Sequence, residues 1–196
     1  MNMKDRIMSI TEENNGIVTS KLIDELGLSR KALSELVKEE KLFRAERGVY
    51  VMESGYLHDY YYLQYRFPKG VFSHETALYL LGYSDRIPHN PQMTFPQGYN
   101  TSRAIEAGIS PFVTSKNLDS GIINITVSGG TTLRLYDVEK TLVDLLNSRY
   151  SEDKEQFIPA IKQYVKSKDR NFGKLMGYAK QQKVETIVQQ YIEVLL

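Results

Sequence analysis

The chain contains no cysteine. That absence excludes disulfides, thiolate zinc sites and cysteine nucleophiles together, and it suits a reducing cytoplasm. Charge of one sign is also lacking: 25 Lys+Arg stand against 24 Asp+Glu, a net +1 over 196 residues. A broadly basic coat is therefore excluded, and any polyanion has to be met by a localised surface. No apolar run approaches the ~20 residues that span a bilayer, so no membrane partner is expected. The opening MNMKDRIMSITEENN is charged and amphipathic, unlike a secretory signal. Neither an internal repeat nor a low-complexity tract is visible. What remains is 41% apolar and 25% charged, ordinary for a globular protein and long enough for two domains.

The organising stretch is 19–51, TSKLIDELGLSRKALSELVKEEKLFRAERGVYV. Thr19 or Ser20 can cap a short helix, because a side-chain oxygen there accepts from the orphan backbone N–H groups. Gly27 makes a tight turn, Leu28 plugs it, and Ser29 caps a second helix over 30–40. Leu42-Phe43-Arg44-Ala45 and Gly48-Val49-Tyr50-Val51 read as two short strands joined at Glu46-Arg47-Gly48. A helix at 3–13, ended by Asn14-Asn15-Gly16, precedes them. Helix, glycine turn, helix and two-stranded wing make a winged helix-turn-helix.

The second helix divides by face. Ala32, Leu33, Leu36 and Val37 recur at helical spacing and point inward. Arg30, Lys31, Ser34, Glu35, Lys38 and Lys41 fall outside, where a recognition helix presents donors to phosphates and base edges. Arg44 and Arg47 add positive charge on the wing. The competing reading is a small helical domain whose lysines only solvate a face. Through Tyr50 nine Lys+Arg balance nine Asp+Glu, so DNA affinity must arise from local charge separation and fall with salt.

Glu53-Ser54-Gly55 marks a boundary. Residues 1–54 are assigned to the winged domain, 55–68 to a connecting helix, and 69–196 to a C-terminal domain. The connecting stretch carries Tyr56, Tyr60, Tyr61, Tyr62 and Tyr65. Leu57, Tyr61 and Tyr65 are spaced for one helix face, and packing is favoured over base stacking. Pro68 should end that helix. Ser73 caps a helix over HETALYLLGY. Met93-Thr94-Phe95, 110–115, 122–127 and 131–136 read as strands, the last two forming a hairpin about Ser128-Gly129-Gly130. Asp137 caps a helix from Val138 that carries Val138, Leu142, Leu145 and Leu146 inward and Asp144 and Arg149 as polar exceptions. Helices follow at 153–166, 172–181 and 184–195. The fold class is α+β: a winged helix-turn-helix, then a domain with a small sheet and a helical C-terminal part.

Catalytic and metal-binding patterns are weak. His74-Glu75 invites an acid–base or metal reading, but no second ligand stands at the right spacing, and His58 and His89 are remote in sequence. The Gly129-Gly130 pair joins two strands with no P-loop lysine after it. Asp137 and Asp144 sit about two helical turns apart, too far for paired acid–base work. No catalytic residue, metal or cofactor is assigned, and no enzyme activity is expected.

Three phrases carry a family likeness: GVYV (48–51), VFSHETALYLLGYSDRIP (71–88) and LYDVEKTLVDLL (135–146). In these the chain resembles the AbiE antitoxin family, regulators of type IV toxin–antitoxin systems of phage abortive infection. The resemblance implies an N-terminal domain that binds inverted repeats in double-stranded promoter DNA and represses its own operon. It also implies a C-terminal domain that neutralises a nucleotidyltransferase-like toxin without a stable complex. DNA contact is carried onto Arg30, Lys31, Ser34, Lys38, Arg44 and Arg47, with Lys41 beside them. Because the winged domain is nearly neutral, a second basic surface is expected from Lys162, Lys166, Lys168, Arg170, Lys174, Lys180 and Lys183. The alternative for these seven is a solvated face. The alternative for the whole protein is a transcription factor with a C-terminal small-molecule sensor.

Overall fold

A computed structural model describes residues 2–53, 55, 58–115, 118–127, 130–147 and 154–195, with backbone only at 154 and 155. Readings that involved Ser54, Tyr56, Leu57, Ser128, Gly129, Arg149 and residue 153 lie outside the described residues. The chain divides into two compact units, Met1–Arg66 with Ile125–Leu133 and Phe67–Asn124 with Arg134–Leu196.

The first unit begins with α1 (Met3–Glu13). A capping box starts it: the Asn2 side chain accepts from the Asp5 N–H at 2.9 Å, and Asp5 Oδ2 accepts from the Asn2 N–H at 3.2 Å. The chain then forms β1 (Ile17–Thr19), whose last residue caps α2 (Ser20–Glu25) by accepting from the Leu22 N–H at 3.2 Å. Ser29 caps α3 (Arg30–Lys38) through the Lys31 N–H at 3.1 Å. The wing is β2 (Phe43–Glu46) and β3 (Val49–Val51). Between them Gly48 has φ +80°, a left-handed conformation a side chain would strain.

β1 joins the wing to give a three-stranded antiparallel sheet in the order β1-β3-β2. The register shifts between Arg44 and Glu46, leaving Ala45 as an extra residue on β2. Local sequence does not mark Ile17-Val18-Thr19 as a strand. Three buried residues are too few for an alternation to show, and pairing with β3 is what makes them a strand.

Ile7, Val18, Ile23, Leu28, Ala32, Leu33, Leu36 and Leu42 close the core of this unit. α4 (Asp59–Arg66) stops two residues before Pro68, as the restriction on the residue preceding proline requires. Tyr60 is buried, and Tyr61, Tyr62 and Tyr65 are half-buried, which is packing, not a free stacking platform.

A mixed sheet in the order β6-β5-β4-β8-β7 follows, made of β4 (Val71–Phe72), β5 (Gln92–Pro96), β6 (Ser110–Thr114), β7 (Ile122–Thr126) and β8 (Thr132–Tyr136). β4 runs antiparallel to β5 and parallel to β8, and β5 runs parallel to β6. Parallel neighbours need a crossover. That is why the turn-rich stretch after β5 holds a short helix, α6 (Ser102–Glu106), which local composition did not announce.

α5 (His74–Leu80) follows β4. Ser73 occupies its N-cap position but makes no capping bond. Its hydroxyl instead accepts from Thr94 Oγ1 and lies 2.9 Å from His74 Nδ1, while Gln92 Oε1 takes the Glu75 N–H at 2.7 Å. The cap expected of Ser73 is thus supplied from β5. α7 (Val138–Leu146), α8 (Lys154–Lys166), α9 (Phe172–Gln182) and α10 (Glu185–Leu195) pack around Leu142, Leu145, Phe157, Ile161, Leu175 and Val188.

Candidate nucleic-acid interface

α3 has the division of faces its sequence predicts. Ala32, Leu33 and Leu36 are buried, and Arg30, Lys31, Ser34 and Lys38 are exposed. Its acidic residues are answered from within the unit. Lys4 on α1 lies 3.0 Å from Glu35 and also bonds Glu39, and Lys41 lies 3.3 Å from Glu39. Lys4, with Lys41, holds the Glu39 carboxyl below its usual range, and Glu39 and Glu35 raise Lys4 in return.

Among the described residues, Lys31, Lys38, Arg44 and Arg47 make no ion pair. Four exposed cations stand on a helix and the adjoining wing, where Glu35 and Glu39 are already matched and Glu40 and Glu46 are exposed beside them, in a domain of balanced charge.

The remaining predicted contacts are partly engaged. Arg30 holds Asp24, donating from Nε at 2.8 Å and also from Nη2. Ser34 gives its one hydroxyl proton to the Arg30 carbonyl at 3.0 Å, so it can accept but not donate outward. Lys41 is exposed and shared with Glu39. Arg44 lies on β2, which is exposed throughout, and Arg47 lies at the turn.

In the second unit Lys162, Lys166, Lys168, Arg170, Lys180 and Lys183 are exposed. Arg170 donates to the Ser167 carbonyl at 2.7 Å and lies over the Phe172 ring. Lys174 is exposed as well but already engaged. Its ammonium lies 3.1 Å from Asp137 and 3.8 Å from Glu139, a tie that residues nearly 40 positions apart do not advertise.

That tie belongs to a buried ionic cluster the sequence reading missed. Asp137 caps α7 through the Lys140 N–H at 2.8 Å and accepts from the Tyr178 hydroxyl at 3.1 Å. Glu139 accepts from the Tyr164 hydroxyl at 3.1 Å, and that hydroxyl's oxygen accepts the Asn171 N–H at 2.7 Å. Lys140 donates to both oxygens of Asp144, at 2.5 and 2.7 Å, and Gln182 adds a third bond. Gly121, at φ +82°, lies under the cluster, where a Cβ would come within 2.9 Å of the Tyr178 hydroxyl.

Burial pushes the Asp144 carboxyl up against the pull of Lys140 and Gln182, and it pushes the Tyr164 and Tyr178 hydroxyls up as well. Burial works to lower Lys174, but Asp137 and Glu139 prevail and raise it. These bonds tie α7, α8 and α9 together. The one signal for the cluster was Asp144 on an apolar helix face.

His74 is stacked on Phe112 at 3.8 Å and buried. Burial, with Lys140 adding to it, pushes its pKa down to about 3. A ring held neutral and packed in this way is a core histidine. Among the described residues, no group of His, Asp and Glu is arranged to hold a metal, and no helix is long and apolar enough to cross a membrane.

Residues 5–52 match the family model described as transcriptional regulator, AbiEi antitoxin. The AbiEi match runs from α1 through β3 and contains Arg30, Lys31, Ser34, Lys38, Lys41, Arg44 and Arg47, so the resemblance read from the sequence is borne out over those residues. The phrases at 71–88 and 135–146 lie beyond the AbiEi match. The chain is also similar to the crystal structure of the RV2827C protein from Mycobacterium tuberculosis, with a TM-score of 0.58 at 18% identity over 99% of this chain and 76% of that one. A likeness at that identity is a likeness of fold. No curated protein matches the chain.

Proposed function

We propose that this protein is an autorepressing antitoxin of the cytoplasm. The winged domain binds inverted repeats in its own double-stranded promoter DNA. The remainder, from about residue 69, neutralises a nucleotidyltransferase-like toxin from the neighbouring gene, without a stable complex, as part of phage abortive infection. The observation that carries the DNA half is the set of exposed, unmatched cations Lys31, Lys38, Arg44 and Arg47 on α3 and the wing, within the stretch similar to AbiEi regulators. Lys162, Lys166, Lys168, Arg170, Lys180 and Lys183 supply a second basic surface that adds phosphate contacts.

The test separates the two halves in one protein. Full-length Lys31→Ala/Lys38→Ala is compared with wild type for binding to the upstream DNA, for repression of a reporter, and for rescue of growth when the adjacent gene is expressed. The double variant should lose repression, and its log–log salt slope should shrink by about 2. Rescue should persist. Unchanged binding and salt slope would remove α3 from the interface. A harmless neighbour would overturn the antitoxin half and favour a sensor-type transcription factor.

A further inference from the structure

Arg30 is the first residue of α3, and Asp24 stands in the last turn of α2. Their side chains remain 69% and 44% exposed, so the bridge between them contributes little to folding. Its geometry is more telling. A guanidinium carries five N–H donors in one plane. Asp24 occupies one edge of that plane, the Nε–H and one Nη2–H. The end edge, Nη1 with the second Nη2–H, meets no partner among the described residues. Two parallel donors on that edge match two adjacent acceptors on a base, and in the major groove guanine presents such a pair, O6 and N7. The first residues of a recognition helix are the ones that reach base edges.

Asp24 does two things for such a contact. It fixes the plane and direction of the guanidinium, so less freedom is lost on binding. Its negative charge also opposes a phosphate at the same place, which penalises the sequence-independent alternative. The mutual influence is visible in the pair: Arg30 holds the Asp24 carboxyl below its usual range.

We infer that Arg30 and Asp24 together form a guanine reader, with Arg30 donating from its end edge to O6 and N7 of a major-groove guanine and Asp24 acting as the positioning residue that sets its orientation. This rests on the DNA-binding reading above and adds which base is read, and by what.

The test is selection from a random double-stranded DNA library by the full-length chain, as wild type, Arg30→Ala, Asp24→Asn and Lys38→Ala, with melting curves to verify that each variant is folded. Wild type should enrich sites with one fixed guanine in each half-site. Arg30→Ala should lose about ten- to a hundredfold of the preference at that position and keep the others. Asp24→Asn should relax the same position while binding unselected duplex more tightly. Lys38→Ala should weaken all sequences alike. If wild type enriches a site but Asp24→Asn or Arg30→Ala leaves every position unchanged, the inference is overturned and DNA binding stands. Binding by wild type with no sequence preference would also overturn it. No salt-dependent binding by wild type would bring down the DNA-binding reading and the inference with it.

Discussion

In the first unit Arg30 meets Asp24 in water, and in the second Lys140 meets Asp144 with side chains only 14% and 8% exposed. A cation beside an aspartate serves opposite ends in the two places. Water screens the first, so either partner can be exchanged for another ion at little cost. The second has been stripped of water, so removing one partner strands the other. A surface pair of the first kind orients a side chain without holding the fold together. A cluster of the second kind holds helices in place.

The contrast is most exposed at Lys140. Lys140→Met leaves Asp144 buried against Gln182 alone and should destabilise the protein by about 3–5 kcal/mol in chemical denaturation. A loss below 1 kcal/mol would mean that water reaches the cluster. His74 gives the next effect. Its pKa falls from 6.5 to about 3 on folding, so between those values the unfolded chain holds a proton the folded chain refuses. Stability should therefore decline as pH drops through that window, by at most about 1.4 kcal/mol per pH unit, and His74→Gln should flatten the slope. Tyr164→Phe deletes a donor to Glu139 and an acceptor for Asn171 and should cost about 1–2 kcal/mol. The surface pair comes last. Asp24, held low by Arg30, stabilises above the ordinary carboxylate range and loses that contribution as pH falls through its lowered value. Asp24→Asn should remove only a shallow part of the acid limb of a melting-temperature profile. A steep change there would erase the distinction between the two pairs.

Local signals account for what the sequence made readable. α1 begins and ends where its caps and the Asn14-Asn15-Gly16 run place it, and Thr19, Ser29 and Asp137 cap the helices they precede. The exposed face of α3 followed from apolar spacing alone. What escaped was set by partners distant in the chain. β1 exists because β3 pairs with it, and α6 because β5 and β6 are parallel. Ser73 looked like a cap until Thr94 and Gln92 were beside it. The clustering of 125–133 with the first unit left no local trace. In the candidate interface, composition identified the cations but not which were already matched: Arg30 by Asp24, Lys41 by Glu39 and Lys174 by Asp137.

Thr19 belongs to two elements at once, the last residue of β1 and the cap of α2. It pairs with Val49 across the sheet, and the next N–H, that of Ser20, donates to the Gly48 carbonyl at the wing turn at 2.8 Å. No residue is left between β1 and α2 to act as a hinge. Such a joint has no slack: a displacement of β3 is delivered straight to the start of α2, as a lever delivers a push.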